Sequence, residues 1–217
     1  MVPLSTTDRS TVRRGPTRAR TDRADLYAVL DAGLVCHLSV VVDGAPRVVP
    51  TCYGRIGDTL YLHGSTGAAS LREGGTGAPV CAAVTLLDGI VYARSVFHHS
   101  VNYRSAVMHG HAVPVTDRAE KLRGLRAVVE HVAPGSWDYA RAPTPKELAG
   151  TAVLALDLAE SSVKIRTGPP VDEESDVAAG TVWAGSLPLR QSWGEPEPCP
   201  LLPPDLATPR HVVTRTA

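Results

Sequence analysis

Leu34-Val35-Cys36-His37-Leu38-Ser39-Val40-Val41-Val42-Asp43-Gly44-Ala45-Pro46-Arg47-Val48-Val49-Pro50-Thr51-Cys52-Tyr53-Gly54-Arg55-Ile56-Gly57-Asp58-Thr59-Leu60-Tyr61-Leu62-His63-Gly64 decides the fold. Its segments 34–42, 46–56 and 59–64 are rich in Val, Leu and Tyr. They are punctuated by Asp43-Gly44 and Gly57-Asp58, dipeptides that supply positive φ in tight hairpins. Three consecutive antiparallel strands follow from this pattern.

On either side the same signals continue. Residues 64–77 form a small-residue turn with a brief helix around Ser70-Leu71-Arg72, and residues 80–87 and 90–97 flank Asp88-Gly89 as a further hairpin. Residues 105–115 predict another strand, and residues 151–158 and 162–166 predict one or two closing strands. Upstream, Asp22 offers an N-cap, Leu26, Val29 and Leu30 repeat at helical spacing, and Gly33 supplies a stop, giving a helix over 22–32. Asp117 with Glu120 caps a second helix, whose Leu122, Leu125, Val128, Val129 and Val132 mark one face before Pro134-Gly135 ends it. A short helix is expected at 145–149. Many short loops between β-runs exclude a doubly wound parallel sheet. The fold class is mainly β (α+β), with six or seven antiparallel strands and peripheral helices suited to a small closed barrel, which leaves no sheet edge exposed. Residues 1–20 predict a flexible arm, 21–170 the barrel domain, and 171–217 an acidic, Pro-rich extension lying on the core.

Lys plus Arg and Asp plus Glu both number 22 in 217 residues, so there is no global field for nucleic acid or an anionic membrane. Cys36, Cys52, Cys81 and Cys199 lie far apart without a CxxC pair, which removes zinc-knuckle and thioredoxin-type motifs and suits a reducing cytosol. Residues 1–20 lack an apolar signal region, and no run approaches membrane-spanning length. A cytoplasmic protein acting on a small molecule is expected.

The densest polar chemistry is Ser95-Val96-Phe97-His98-His99-Ser100-Val101-Asn102-Tyr103-Arg104-Ser105. Two imidazoles, an amide, a phenol, a guanidinium and hydroxyls in eleven residues suit a planar anionic ligand, while His98, Ser100 and Asn102 are equally able to cap a turn. On a strand, His98 and His99 point to opposite faces, and His99 is favoured for the pocket as an acid–base group. His109 and His111 share a strand face, but no third ligand stands at metal-site spacing. Lys164 and Arg166 also share a face, either as a cationic patch or as surface ion-pair partners. Trp183 suits a hydrophobic groove or, as the safer single reading, core packing.

With these blocks laid out, the chain from about residue 11 to 190 resembles the FMN-binding split-barrel family of the pyridoxamine 5′-phosphate oxidases, in its nitroimidazole-reductase-like branch. The resemblance rests on Gly33-Leu34-Val35-Cys36-His37, Val49-Pro50-Thr51-Cys52-Tyr53, Leu60-Tyr61-Leu62-His63-Gly64-Ser65, Thr85-Leu86-Leu87-Asp88-Gly89, Ala93-Arg94-Ser95-Val96-Phe97-His98-His99-Ser100, Asn102-Tyr103-Arg104-Ser105 and Lys164-Ile165-Arg166-Thr167-Gly168-Pro169-Pro170. It implies a six-stranded split barrel, a homodimer, and FMN sites built across the interface. His63, Gly64 and Ser65 would hold anionic oxygen at a turn, Pro50 and Thr51 would line the flavin ring with Tyr53 nearby, and Arg104 would grip phosphate bidentately. Ser95, His98, His99, Asn102, Tyr103, Ser105, Lys164, Arg166 and Trp183 complete the implied cofactor set. Where this branch usually carries a Ser-Arg phosphate grip, this chain has Ala68-Ala69, with Arg72 as the nearest replacement. That departure admits haem or F420 in place of FMN, with His63, His98 and His99 as candidate haem ligands. An FMN-dependent oxidoreductase is the leading expectation, with a haem-dependent split-barrel enzyme and a non-catalytic ligand-sensing barrel as alternatives.

Overall fold

A computed structural model describes residues 3–4, 7–203 and 205–215 of the chain. Its elements run β1 (Ala19–Arg20), α1 (Arg23–Ala32), β2 (Val35–Val42), β3 (Ala45–Ile56), β4 (Thr59–Ser65), α2 (Ala69–Gly74), β5 (Pro79–Tyr92), β6 (Ser100–His111) and β7 (Val113–Pro114). There follow α3 (Arg118–Val132), α4 (Pro145–Ala149), β8 (Thr151–Asp157), β9 (Ser161–Arg166), α5 (Glu174–Ala179), β10 (Gly185–Pro188) and α6 (Arg210–Val213). All strand pairings are antiparallel, in the order β1-β9-β6-β5-β2-β3-β4-β8-β7, with β10 added to β5.

The hairpin signals act as the sequence suggests. Asp43 at φ 51° and Gly44 at φ 75° turn β2 into β3, and Gly57 at φ 56° turns β3 into β4. Asp22 caps α1 by accepting from the Ala24 N–H, and Asp117 caps α3 by accepting from the Glu120 N–H. Thr144 and Glu147 form a reciprocal capping box on α4. Leu26, Val29 and Leu30 of α1 are fully buried with Leu38, Leu62, Met108 and Leu156 in the main core. Helix α3 lies on the other side of β3 and β4. A Cβ at Gly54 would stand 2.3 Å from the Ala127 backbone carbon, and one at Gly124 would stand 2.6 Å from the Tyr61 ring. Two glycines therefore set the approach of this helix, and Gly124 and Val128 are its buried positions, a narrower face than the apolar spacing implies.

Three expectations need correction. The strands number ten among the described residues, because three short strands, β1, β7 and β10, extend the seven longer ones. The sheet is not closed: β1 and β7 are its ends. Asp88-Gly89 is not a hairpin turn but a bulge inside the continuous β5, where the register with β6 shifts. Here β6 and β10 pair with β5 on its two sides, and β10 passes so close that a Cβ on Gly89 would lie 2.6 Å from the Leu187 carbonyl oxygen.

Both terminal segments lie against the sheet. Leu4 is 5% exposed within the main core. Thr7 Oγ1 donates to Glu160 at 2.5 Å, Arg9 donates to both Glu160 oxygens, and Ala19 and Arg20 pair with β9. The segment expected as a flexible arm carries too few apolar residues to show a period, yet one buried leucine and a carboxylate clamp hold it. On the C-terminal side, Asp172 accepts from the Arg94 backbone and guanidinium, with its side chain only 2% exposed. The Arg215 guanidinium reaches the Val132 carbonyl. No helix of the described residues is long and apolar enough to cross a membrane.

A candidate cofactor face and its adjoining cavity

Paired residues on antiparallel strands place their side chains on one face, so the register sorts the candidate residues. Val84, Ala106 and Val163 align across β5, β6 and β9 and point into the core. The alternate positions form an outward face: Pro50 beside His37 beside Ala83, then Thr85 beside Ser105 beside Lys164, then Leu87 beside Tyr103 beside Arg166. Pro50, Tyr103, Ser105, Lys164 and Arg166 thus share a surface although the sequence spreads them over more than a hundred positions. Arg166 is 8% exposed and donates to Asn102 Oδ1 at 2.5 Å, while Asn102 Nδ2 donates to the Gly168 carbonyl at 3.1 Å.

Other expected site residues are occupied elsewhere. Arg104 pairs with Leu86 and Ile165, on the core-facing alternation, and forks onto Asp88 through Nε at 2.9 Å and Nη2 at 2.8 Å. Its phosphate-gripping geometry is spent on the bulge carboxylate. Thr51 faces opposite to Pro50, as neighbours on a strand must, and its hydroxyl donates to the Cys52 carbonyl at 3.3 Å. Tyr53 is fully buried, with its hydroxyl 2.6 Å from the Leu30 carbonyl and 2.8 Å from the Gly33 carbonyl, and burial pushes its phenol pKa up. It closes the C-terminal end of α1 and does not reach the outward face.

At the Gly64 turn, Ser65 Oγ accepts from the Gly67 N–H at 3.1 Å and Arg72 Nη1 donates to the Gly67 carbonyl at 2.7 Å. Gly64 packs closely under Leu71, whose Cδ1 would lie 2.9 Å from an added Cβ. The polar groups read as a phosphate cradle therefore brace the turn itself. His63, on the Tyr61 side of β4, has a buried Nδ1 without a hydrogen-bond partner, and burial lowers its pKa.

His98 and His99 lie not on a strand but at a 3-10 turn, Val96–His98, that leads into β6. Ser95 Oγ accepts from the Phe97 N–H at 3.3 Å, the Ser95 carbonyl faces His99 Nδ1 at 3.1 Å, and His98 Nε2 stands 3.6 Å from Glu173. Tyr92 meets His99 and Trp183 at 5.8 and 6.0 Å between ring centroids. Phe97 and Trp183 are 84% and 70% exposed, so Trp183 is not core packing. Among the described residues, no group of three metal-ligating side chains forms.

At the end of the outward face opens a cavity of about 1040 Å³, lined by Val35, His37, Thr85 and Leu86 of the sheet, by 31–34, by His131 and Pro134, and by the tail residues Arg190, Gln191, Ser192, Trp193 and Arg215. Sequence reasoning missed the tail's contribution. An Arg and a Trp spaced within a Pro-rich extension were the available signal, but only the folded tail brings them to β2 and β5.

An antiparallel, incompletely closed sheet with peripheral helices and a polar outward face defines a protein of the split-barrel class. The sequence profile of the pyridoxamine 5′-phosphate oxidases matches residues 22–165, and the chain belongs to this flavin-binding family. Among solved structures, it is similar to the flavocytochrome Anf3 from Azotobacter vinelandii, with 38% identity and TM-score 0.92 over 98% of this chain and 99% of that one. It is also similar to the FAD and haem binding protein from Mycobacterium smegmatis, with 39% identity and TM-score 0.87 over 92% and 97% of the two chains. A candidate 5-nitroimidazole antibiotic resistance protein from Bacteroides thetaiotaomicron shares the fold at 19% identity and TM-score 0.58, over 68% of this chain and 86% of that one. Comparison with curated proteins finds no match.

Proposed function

We propose that the chain is a flavin-dependent oxidoreductase that carries haem as a second prosthetic group, with FAD as its flavin. The observation that carries this reading is the near-full-length likeness, at 38% and 39% identity, to a flavocytochrome and to an FAD and haem binding protein. It departs from the FMN expectation for a physical reason. With Ala68-Ala69 in place of a phosphate grip and Ser65 and Arg72 turned onto Gly67, the turn offers a monoester little, whereas a dinucleotide spreads its contacts beyond one turn.

The residues present fit both groups. Lys164, Ser105 and Tyr103 share a face with the apolar Pro50 and Leu87, as an isoalloxazine with polar edges requires. Haem iron takes an imidazole nitrogen, and His63 offers a buried Nδ1 with no hydrogen-bond partner among the described residues. Bound flavin would supply hydride acceptance, and bound haem one-electron chemistry. In this reading Lys164, beside Ser105 on the outward face, would pair with an anionic edge of the flavin. His99, whose Nδ1 faces the Ser95 carbonyl and therefore carries the ring hydrogen, would leave the Nε2 lone pair to accept a proton from a small-molecule substrate.

A homodimer belongs to the same reading. Val48, Leu87, Val96 and Phe97 are exposed at 62%, 43%, 89% and 84%, and a second copy is the economical cover for such surface. The test of the cofactor assignment is to denature purified protein and identify what is released. FAD together with haem supports the reading, FMN alone restores the simpler oxidase, and a protein that takes up neither at micromolar concentration removes it.

A further inference from the structure

The cavity at the end of the outward face is walled on one side by the sheet and on the other by the tail. Of the eight histidines in the chain, His37 and His131 line it. His131 is committed: its Nε2 lies 2.6 Å from the Gly33 carbonyl and its ring 4.8 Å from that of Tyr53. His37 stands at an exposed position of β2, and its imidazole makes no hydrogen bond or ion pair to another described residue. His63, His98 and His99 are not among the cavity's lining residues.

The charges of the lining are equally one-sided. Arg190 forms no ion pair among the described residues, and Arg215 is held over the Trp193 ring at 4.2 Å. Asp31 is the single acid of the lining, and its carboxylate is clamped by Arg55 Nη2 at 2.8 and 2.7 Å. The cavity therefore presents an uncommitted imidazole, two guanidinium groups without carboxylate partners, and an apolar wall of Val35, Leu86 and Trp193. That combination complements a flat macrocycle with a metal at its centre and carboxylates at its edge.

We infer that this cavity is the haem pocket, in which His37 would ligate the iron and Arg190 and Arg215 would pair with the propionates. The inference rests on the flavin-and-haem reading above, and it gives the C-terminal extension a purpose, since the tail supplies the propionate side of the pocket.

The experiment titrates apo protein with haemin in the presence of saturating FAD. Wild type should develop the Soret band of histidine-ligated haem. His37→Ala should lose that band, regain it when free imidazole is added, and bind haemin roughly ten-fold or more weakly while still taking up FAD, which reports that it is folded. The double variant Arg190→Ala, Arg215→Ala should keep the Soret position and weaken haemin by about ten-fold or more. If His37→Ala keeps the wild-type band and affinity while His63→Ala, His98→Ala or His99→Ala loses it, the pocket assignment fails and the flavin-and-haem reading stands. If the His37 and Arg variants lose FAD but keep haem, the cavity is the flavin's and the inference is overturned. If wild type takes up FAD but never haemin, the reading and the inference fail together.

Discussion

Replacing Arg104 by Ala separates the two roles that its position allows. The guanidinium makes two parallel bonds to Asp88, at 2.9 and 2.8 Å, and the two side chains are 36% and 30% exposed. Solvent at that exposure screens the attraction, so the pair contributes about 1 kcal/mol, the upper end for accessible ion pairs with good geometry. Asp88 left alone is still reached by water, which keeps the additional cost near the lower end of about 1–3 kcal/mol. For a chain of this size a total of about 1–2 kcal/mol lowers the melting temperature by about 2–8 °C. The assay pairs thermal unfolding of the apo protein with flavin titration by fluorescence quenching. Arg104→Ala should melt earlier and bind flavin as wild type does, and a cycle with Asp88→Asn should recover a coupling of about 1 kcal/mol. An unchanged apo melting temperature with flavin affinity down by about ten-fold or more would refute the structural role and return Arg104 to the cofactor.

Gly54→Ala puts a Cβ 2.3 Å from the Ala127 backbone, a clash that no side-chain rotation relieves. It should destabilise by about 3 kcal/mol or more in urea unfolding, and a near-wild-type curve would mean that α3 does not pack there. Glu160 is held down to about 2 from an ordinary 4.5, first by Arg9 and then by Thr7. Its folded pKa lies below its unfolded one, so its contribution is full above about 4.5 and is lost as pH falls towards about 2. Wild type should lose more stability than Glu160→Gln across that window, and parallel pH profiles would contradict the clamp. Light scattering should give a dimer of the 22.9 kDa chain, and a monomer that still binds flavin would refute the interface.

The β2–β3–β4 meander was legible because its signals are local: Asp43-Gly44 and Gly57-Asp58 dictate turns whatever surrounds them. Asp88-Gly89 carries the same letters as Asp43-Gly44 but does not reverse the chain, since β6 and β10 pair along β5 on its two sides and convert a potential turn into a bulge. Such long-range pairing leaves no mark on the dipeptide. The site divides similarly. Period-two alternation put Lys164 and Arg166 on one face, and the register adds Pro50, Tyr103 and Ser105. The commitment of Arg104 to Asp88, and of Tyr53 to the end of α1, depends on partners 16 and 20–23 residues away, which residue type cannot disclose. The tail's wall of the cavity was hidden for the same reason, with Arg190 and Trp193 brought beside His37 only by folding.

The most direct measurement is the visible absorption spectrum of the full chain after incubation with FAD and haemin and removal of the unbound excess. Flavin bands and a Soret band retained together, in near-equimolar amounts on the same protein, are the expected result. A desalted protein that is colourless, or that keeps haem with no flavin, would contradict a flavin-dependent redox protein built on this split barrel.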